Sequence, residues 1–418
     1  MKVPRTFGIS LAAFALGAVC AIPVVVYGAS PPESAAWSFD AVSASPRWTG
    51  FLSAARRTYW RPLDEKLMAE RCRALLDGPV EARRGDPVDA CIAASVASLD
   101  SHSQYYPPAE LAAFTTGGGP FIAIGIEFAA KEAGSPIVVV APIANAPAER
   151  AGVRPRDLIT EIDGVDVAPL SGEQVTRLLT GEKGSTIRLK LLRAGNPPPV
   201  ELSMQREEVR PETVHARLID ADLAYVRIRS FNFRTTQDVA KRLDALTSAR
   251  GLILDLRSNP GGVLDAIVEI AAAFGAADAP VVALHWRDRQ TLMSGKEVGS
   301  SLRLSRGARD WARSVPLVVL VNAKTASGSE ALAQFLREQR ARVVGTKTFG
   351  LAYVKTLTRI DKDTAVALVS AEMRSPNGIG WTATGLTPDI EVPGSSDVPW
   401  SDEDDAQLRR AVLALRER

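Results

Sequence analysis

Apolar positions recur at helical spacing over residues 36 to about 116. Trp48, Leu52, Tyr59 and Trp60 share one period, and Asp64 with residues 66–76 continues it. Asp77-Gly78-Pro79 and Gly85-Asp86-Pro87 break the pattern, and a further helix is predicted over residues 88–99, with Asp86 as cap and Pro87 at its first position. Residues 98–106 have no helical period and read as a loop, inside which His102 reads as structural. Gly117-Gly118-Gly119-Pro120 marks a domain boundary; no Gly-Lys-Ser/Thr follows, so it is not a phosphate loop.

Short strands dominate from residue 120 to about 208. Residues 121–128, 137–141, 157–164 and 186–193 carry strand patterns, separated by a short helix over 146–153 and a second over 171–179 with Ser171 as N-cap. Asn196-Pro197-Pro198-Pro199 reads as a hairpin or loop. From Leu223 onward the texture changes again. Strands over 223–228, 251–256, 315–321 and 343–344 alternate with helices over 263–274 and from Glu330 to about 338, which predicts an α/β domain. Its Gly-bearing turns, residues 257–262 and 322–330, lie where strands feed helix N-termini, the usual place of active sites in such folds. Residues 294–313 are polar and basic and read as an irregular loop, or alternatively a flap or partner surface; 402–418 reads as a helix whose charges follow its dipole.

Composition narrows the classes. The 418 residues are 46% hydrophobic and 23% charged, enough for two or three globular domains. Lys plus Arg is 50 and Asp plus Glu 48; setting aside Lys2 and Arg5 leaves 48 against 48, without the basic excess that phosphate contacts demand, so no nucleic-acid partner is expected. His102, His215 and His285 are the three histidines, and no Cys/His group has zinc spacing, so no metal or cofactor is expected. Residues 9–27 are uncharged and follow Lys2 and Arg5, the pattern of an export segment. Either it is a signal peptide cut near Gly28-Ala29-Ser30, or it remains as a single-span anchor. Val19 directly before Cys20 makes a poor lipoprotein box. Export would put Cys72 and Cys91 in an oxidising compartment, where they either staple a helical hairpin or stay as buried thiols.

A Ser at a strand-to-helix turn, with backbone N–H groups around it, suits acyl transfer, although Ser is also a common cap. Two resemblances sharpen this. The string PIANAPAERAGVRPRDLITEIDGVDV, a helix, then GEKGSTIRLKLLR resembles a PDZ domain of the circularly permuted bacterial type. That implies capture of a peptide C-terminus as an added strand, its carboxylate on backbone N–H groups. The implied groove consists of Gly125, Ile126, Glu127 and Phe128 on the strand side and Val175, Leu178 and Leu179 on the helix; a PDZ fold serving as a spacer is the alternative.

Residues 223–393 resemble the peptidase domain of C-terminal processing peptidases, the tail-specific serine proteases of bacterial envelopes and chloroplasts. The matching strings are YVRIRSF, GLILDLRSNPGG, VNAKTASGSEALA, VVGTKTFG and GLTPDIEV, and SLDSHSQYY matches that family's LDPHS-x-Y element. The resemblance implies a crotonase/ClpP-like α/β core with an inserted PDZ domain and a helical N-terminal region. The chain would divide into 1–35 (export segment), 36–118 (helical), 119–208 (PDZ), 209–400 (peptidase) and 401–418 (terminal helix). It implies Ser327 as nucleophile, and an oxyanion hole from the Gly328 N–H and an N–H of Gly261 or Gly262. The expected partners are protein C-termini and an envelope adaptor or partner protease, with membrane contact if the segment is retained, on the periplasmic side of a bacterial envelope.

The base departs from the family. Where TFGKG-x-x-Q is usual, this chain reads Thr348-Phe349-Gly350-Leu351-Ala352-Tyr353-Val354-Lys355, so Leu351 takes the place of the Lys and Lys355 that of the Gln. Lys355 as a relocated base, His285 or His215 in its stead, and a pseudopeptidase that only binds tails are the three readings. A thioester-handling crotonase-like enzyme is disfavoured by the PDZ domain and the Ser motif. Lys324 and Lys347 read as surface groups.

Overall fold

The computed structural model describes residues 38–78, 85–116, 121–128, 134–143, 145–193, 196–210, 212–276, 278–298, 302–394 and 405–417. The run 9–27, Cys20 and the Gly117–Pro120 break lie outside the described residues. Among the described residues no helix is long and apolar enough to cross a membrane.

Six strands form the central sheet in the order Val214–Ile219, Leu223–Ile228, Gly251–Asp255, Leu317–Val321, Arg342–Gly345, Ile390–Glu391. The first pair is antiparallel and the rest parallel. The strands read as continuous apolar runs because both faces are covered. Ala224, Val226, Leu254 and Val319 pack on one face against helices Thr235–Asp244, Leu264–Phe274 and Gly328–Gln339. On the other face Tyr225, Ile253, Val318 and Leu320 meet Leu408, Ala411 and Leu415 of the terminal helix Ala406–Arg416. Asp405 caps that helix through the Leu408 N–H at 3.0 Å and also accepts from Arg257 at 3.0 Å. Arg257 in turn holds Asp255, at 2.7 Å, so a buried charge network pins the terminal helix to the end of a core strand.

A second sheet is built on Ala365–Arg374. Tyr353–Arg359 runs along one edge; Gln104–Tyr106 and Val282–His285 share the other, at Ala365–Ala367 and Glu372–Arg374. Residues 104–106 are therefore a strand where no period predicted one: three residues are too few to show alternation, and the pairing partner lies 260 positions away in the register. Helices Pro46–Thr58, Glu65–Leu76 and Pro87–Ala97 pack Trp48, Phe51, Met68 and Ile92 onto Val366, Leu368 and Val369 of this sheet. Asp86 caps the last of these, with Pro87 first. Cys72 and Cys91 form a disulfide between two of the helices.

The PDZ-like unit is a sheet in the order Ile126–Phe128, Ile137–Pro142, Leu158–Ile162, Thr186–Arg193, Asn196–Gln205, with helix Gly172–Leu179 closed by a Ser171/Gln174 capping box. The apolar run 121–128 is two strands, not one. Gly125, at φ +76°, turns the chain between them, and a Cβ there would come within 2.3 Å of the Ala146 Cβ. The first piece, Phe121–Ala123, pairs with Glu207–Val209, so the strands entering and leaving the unit run side by side. The segment 294–313, expected as an irregular loop, holds helices Gly295–Val298 and Arg306–Ser314. Ala308 and Ala312 are buried and the Trp311 indole donates to Ala249 O at 2.8 Å. Two alanines one turn apart make too narrow a stripe to stand out from the four charged residues of that helix.

The disulfide closes a loop across 19 positions. Replacing Cys72 and Cys91 by Ala should lower the opening free energy of helices Glu65–Leu76 and Pro87–Ala97 by about 3 kcal/mol, read by native-state hydrogen exchange of their amides.

Candidate active site

The strand Leu317–Val321 runs into a turn whose last residue is Ser327, and the helix Gly328–Gln339 starts immediately after. Ser327 takes φ 57° and ψ −125°, a left-handed conformation costly for a residue with a Cβ, and is 2% exposed. Its surroundings impose that geometry. Thr325 Oγ1 donates to Leu256 O at 2.9 Å, Ala326 N donates to Asn259 O at 3.0 Å, and Ser258 N donates to Asn322 Oδ1 at 2.8 Å. The turns 257–262 and 322–328 are thus laced into one structure at the ends of adjacent parallel strands.

Glu330 completes the lacing. One oxygen accepts from Ser327 N and Leu351 N, each at 2.9 Å; the other accepts from Gly350 N at 2.8 Å and from the Thr348 hydroxyl. The side chain is fully buried, and burial pushes its carboxyl up to about 7 against the pull of those donors. Glu330 therefore fixes both the Ser327 turn and the backbone of residues 348–351.

Gly328 is the first helical residue, so its N–H has no intrahelical acceptor. Gly261 lies against it: at φ +98°, a Cβ on Gly261 would sit 3.0 Å from Gly328 N and from Ser327 Cβ. The Gly261 N–H is already donated to Asn259 Oδ1 at 2.9 Å. Gly262, which bridges Phe231 in parallel, is the remaining donor of the pair.

Leu351, at the place where the family reads Lys, shares the Glu330 oxygen with Ser327, so no ammonium stands at that point. Lys355 lies on Tyr353–Arg359 at a register irregularity, opposite Val369. Burial pushes its ammonium down, and Asp100 pulls it back up. Among the described residues no hydrogen bond joins Lys355 Nζ to Ser327 Oγ, and the Ser327 hydrogen bond to Glu330 is made by its backbone N–H. His215 sits on the edge strand Val214–Ile219 and His285 on Val282–His285, paired to Glu372. The histidine whose titration feels Lys355 is His102, which reads as structural in the sequence: its ring lies 5.2 Å from that of Tyr353, and burial holds its pKa down against the pull of Asp100, with a smaller push from Lys355. The signal for it was the SLDSHSQYY string itself.

In the PDZ-like unit, Ile126–Phe128 pairs with Ile137–Pro142 on one edge and is the outermost strand of its sheet. Ile126 and Phe128 are half-buried. Glu127 does not face a groove: its carboxylate pairs with Arg229 and, at 3.7 Å, with Arg227, both on the peptidase-like core. Val175 and Leu179 are buried in the unit's core and Leu178 is half-buried against it, so two of the three helix positions are packing residues.

Residues 222–392 match peptidase family S41, and residues 138–193 match the PDZ domain. The chain is 30% identical over 324 residues to the carboxy-terminal processing protease CtpA of Bacillus subtilis, covering 76% of this chain and 66% of that one. It is 31% identical over 306 residues to the carboxyl-terminal-processing protease of Synechocystis, covering 71% and 69%. The chain thus spans about two thirds of the length of these relatives. A solved structure of the photosystem II D1 C-terminal processing protease aligns with a TM-score of 0.52 at 27% identity, over 84% of this chain and 94% of that one.

Replacing Glu330 by Gln turns one acceptor oxygen into a donor facing two donors, and should cost about 2–3 kcal/mol. The sign of its pH dependence follows from the raised carboxyl. The stability held by protonated Glu330 is complete below the ordinary value of 4.5 and is lost as pH rises through about 7. The gap in urea midpoint between wild type and Glu330→Gln should therefore narrow as pH is raised across that window.

Proposed function

The chain belongs to peptidase family S41, among the carboxyl-terminal-processing proteases with a PDZ domain, and we propose that it cleaves proteins near their C-termini with Ser327 as nucleophile. The observation that carries this reading is Ser327 held left-handed at the start of Gly328–Gln339, with the first helical N–H and the 261–262 backbone beside it. In the reaction, Ser327 Oγ attacks the scissile carbonyl and its proton passes to the neutral amine of Lys355. The carbonyl oxygen, now negative, is held by the N–H groups of Gly328 and Gly262. Lys355 returns the proton to the leaving amine, and water then releases the acyl-enzyme in the same way. Burial of Lys355 supports this role, because it favours the uncharged amine that can accept a proton.

The substrate tail adds as a strand to the outer edge of Ile126–Phe128, with Gly125 in the carboxylate loop. The catalytic part works outside the cytoplasm, on the periplasmic side of a bacterial envelope. The charge pattern of residues 1–27 and the Cys72–Cys91 disulfide both support export.

Purified chain should cleave an unstructured protein with an apolar C-terminus, and Ser327→Ala and Lys355→Ala should each lower kcat/KM by about 10³-fold or more at unchanged thermal midpoint. Absence of cleavage by wild type with intact tail binding would overturn the peptidase reading, leaving a tail-binding protein. A gain of cleavage in Leu351→Lys would then identify the missing base.

A further inference from the structure

Lys355 lies across from Val369, the residue to which the loop bearing Asp100 is anchored, and Asp100 is the charge that acts on its ammonium. Asp100 lies in the loop before Gln104–Tyr106 and is held rigidly. Its Oδ1 accepts from His102 N at 2.7 Å and Ser103 N at 2.6 Å, and its Oδ2 accepts from the Ser103 hydroxyl at 2.8 Å. Ser103 Oγ in turn accepts from Val369 N at 3.0 Å, and Trp60 N donates to Val369 O at 3.0 Å. Val369 is the register partner of Lys355. The Asp100 loop is therefore bolted to the residue directly across from Lys355, in the gap between Gln104–Tyr106 and Val282–His285 on that strand edge.

Neither charge has an ion pair within 4.0 Å among the described residues. Lys355 is desolvated, a costly state for an ammonium without a counter-charge, and Asp100 is the one charge that opposes that cost. Asp100 also acts on two neighbours. With burial it holds the Tyr59 phenol protonated, and it opposes the burial that keeps His102 toward its neutral form, while Tyr353 stacks on that ring. Glu372, opposite Tyr353, is taken by Arg374 and the Thr382 hydroxyl, and Arg61 lies over Trp60.

We propose that Asp100 is a positioning residue for Lys355: a fixed carboxylate from the N-terminal helical region that aims the amine and stabilises the ammonium formed when Lys355 takes the Ser327 proton. This rests on the reading of Lys355 as base. The peptidase core then supplies the nucleophile, the oxyanion donors and the base, while the helical region supplies the base's counter-charge, so the site is incomplete without both. Asp100 carries a full negative charge, and so favours the protonated product of the first transfer.

The test uses the full chain, wild type against Asp100→Asn, which keeps the Oδ1 acceptor for His102 and Ser103 and removes the charge. Tail cleavage is followed across neutral and alkaline pH. Lys355 is titrated directly by NMR of carbon-13-methylated lysines, its resonance identified by its loss in Lys355→Arg. Asp100→Asn should move both the acidic limb of kcat/KM and the Lys355 titration to lower pH by about one unit, with the thermal midpoint unchanged. If Lys355→Ala loses cleavage while Asp100→Asn moves neither curve, the positioning role is overturned and the base reading stands. If Lys355→Ala cleaves as wild type does, the base reading falls and this role with it.

Discussion

A carboxylate in a dry interior has to be satisfied completely, and Glu330 is satisfied by four donors from two stretches of chain, Ser327 and residues 348–351. That requirement sets the site. It holds the Ser327 amide inward, which keeps the residue left-handed, and it draws residues 348–351 against the turn that carries Ser327. The strand that follows, Tyr353–Arg359, leaves this anchor already aimed, so Lys355 inherits its position from a group it does not touch. Strain at Ser327 is thus balanced by hydrogen bonds to a single buried side chain.

The strand Ala365–Arg374 has an equally plural role. It pairs with Tyr353–Arg359 on one edge and with Gln104–Tyr106 on the other, and its Val366, Leu368 and Val369 are core residues of the helical region. The helical region therefore shares a hydrophobic core with the peptidase domain instead of forming a separate body. That is why the loop bearing Asp100 can anchor on Val369, across from Lys355.

The central sheet, the helix caps at Asp86 and Ser171, and the turn bearing Ser327 were legible because each depends on local pattern: continuous apolar strands, an Asp-Pro start, a Ser-x-x-Gln box. What was not legible depends on partners distant in sequence. The strand at residues 104–106 exists because Ala365–Ala367 offers an edge, and the Gly261 amide is unavailable because Asn259 folds back on it. Glu127 carries no sign in its neighbours that two arginines a hundred residues on will claim it. Val175 and Leu179 have helical spacing that fits a groove wall and a core equally well, and packing decided between them.

The pairing of Phe121–Ala123 with Glu207–Val209 bears on how the chain reaches its fold. Since the two ends of the PDZ unit meet as neighbouring strands, the surrounding domain has to close only the equivalent of a hairpin there, whatever lies beyond. The entropy of bringing residues 116 and 212 together is then spent once the insert has folded, not before. Long-range contacts between the helical region and Ala365–Arg374 become effectively shorter by the length of a whole domain. An insertion near the middle of a chain would ordinarily slow assembly; this one acts as a preformed clasp.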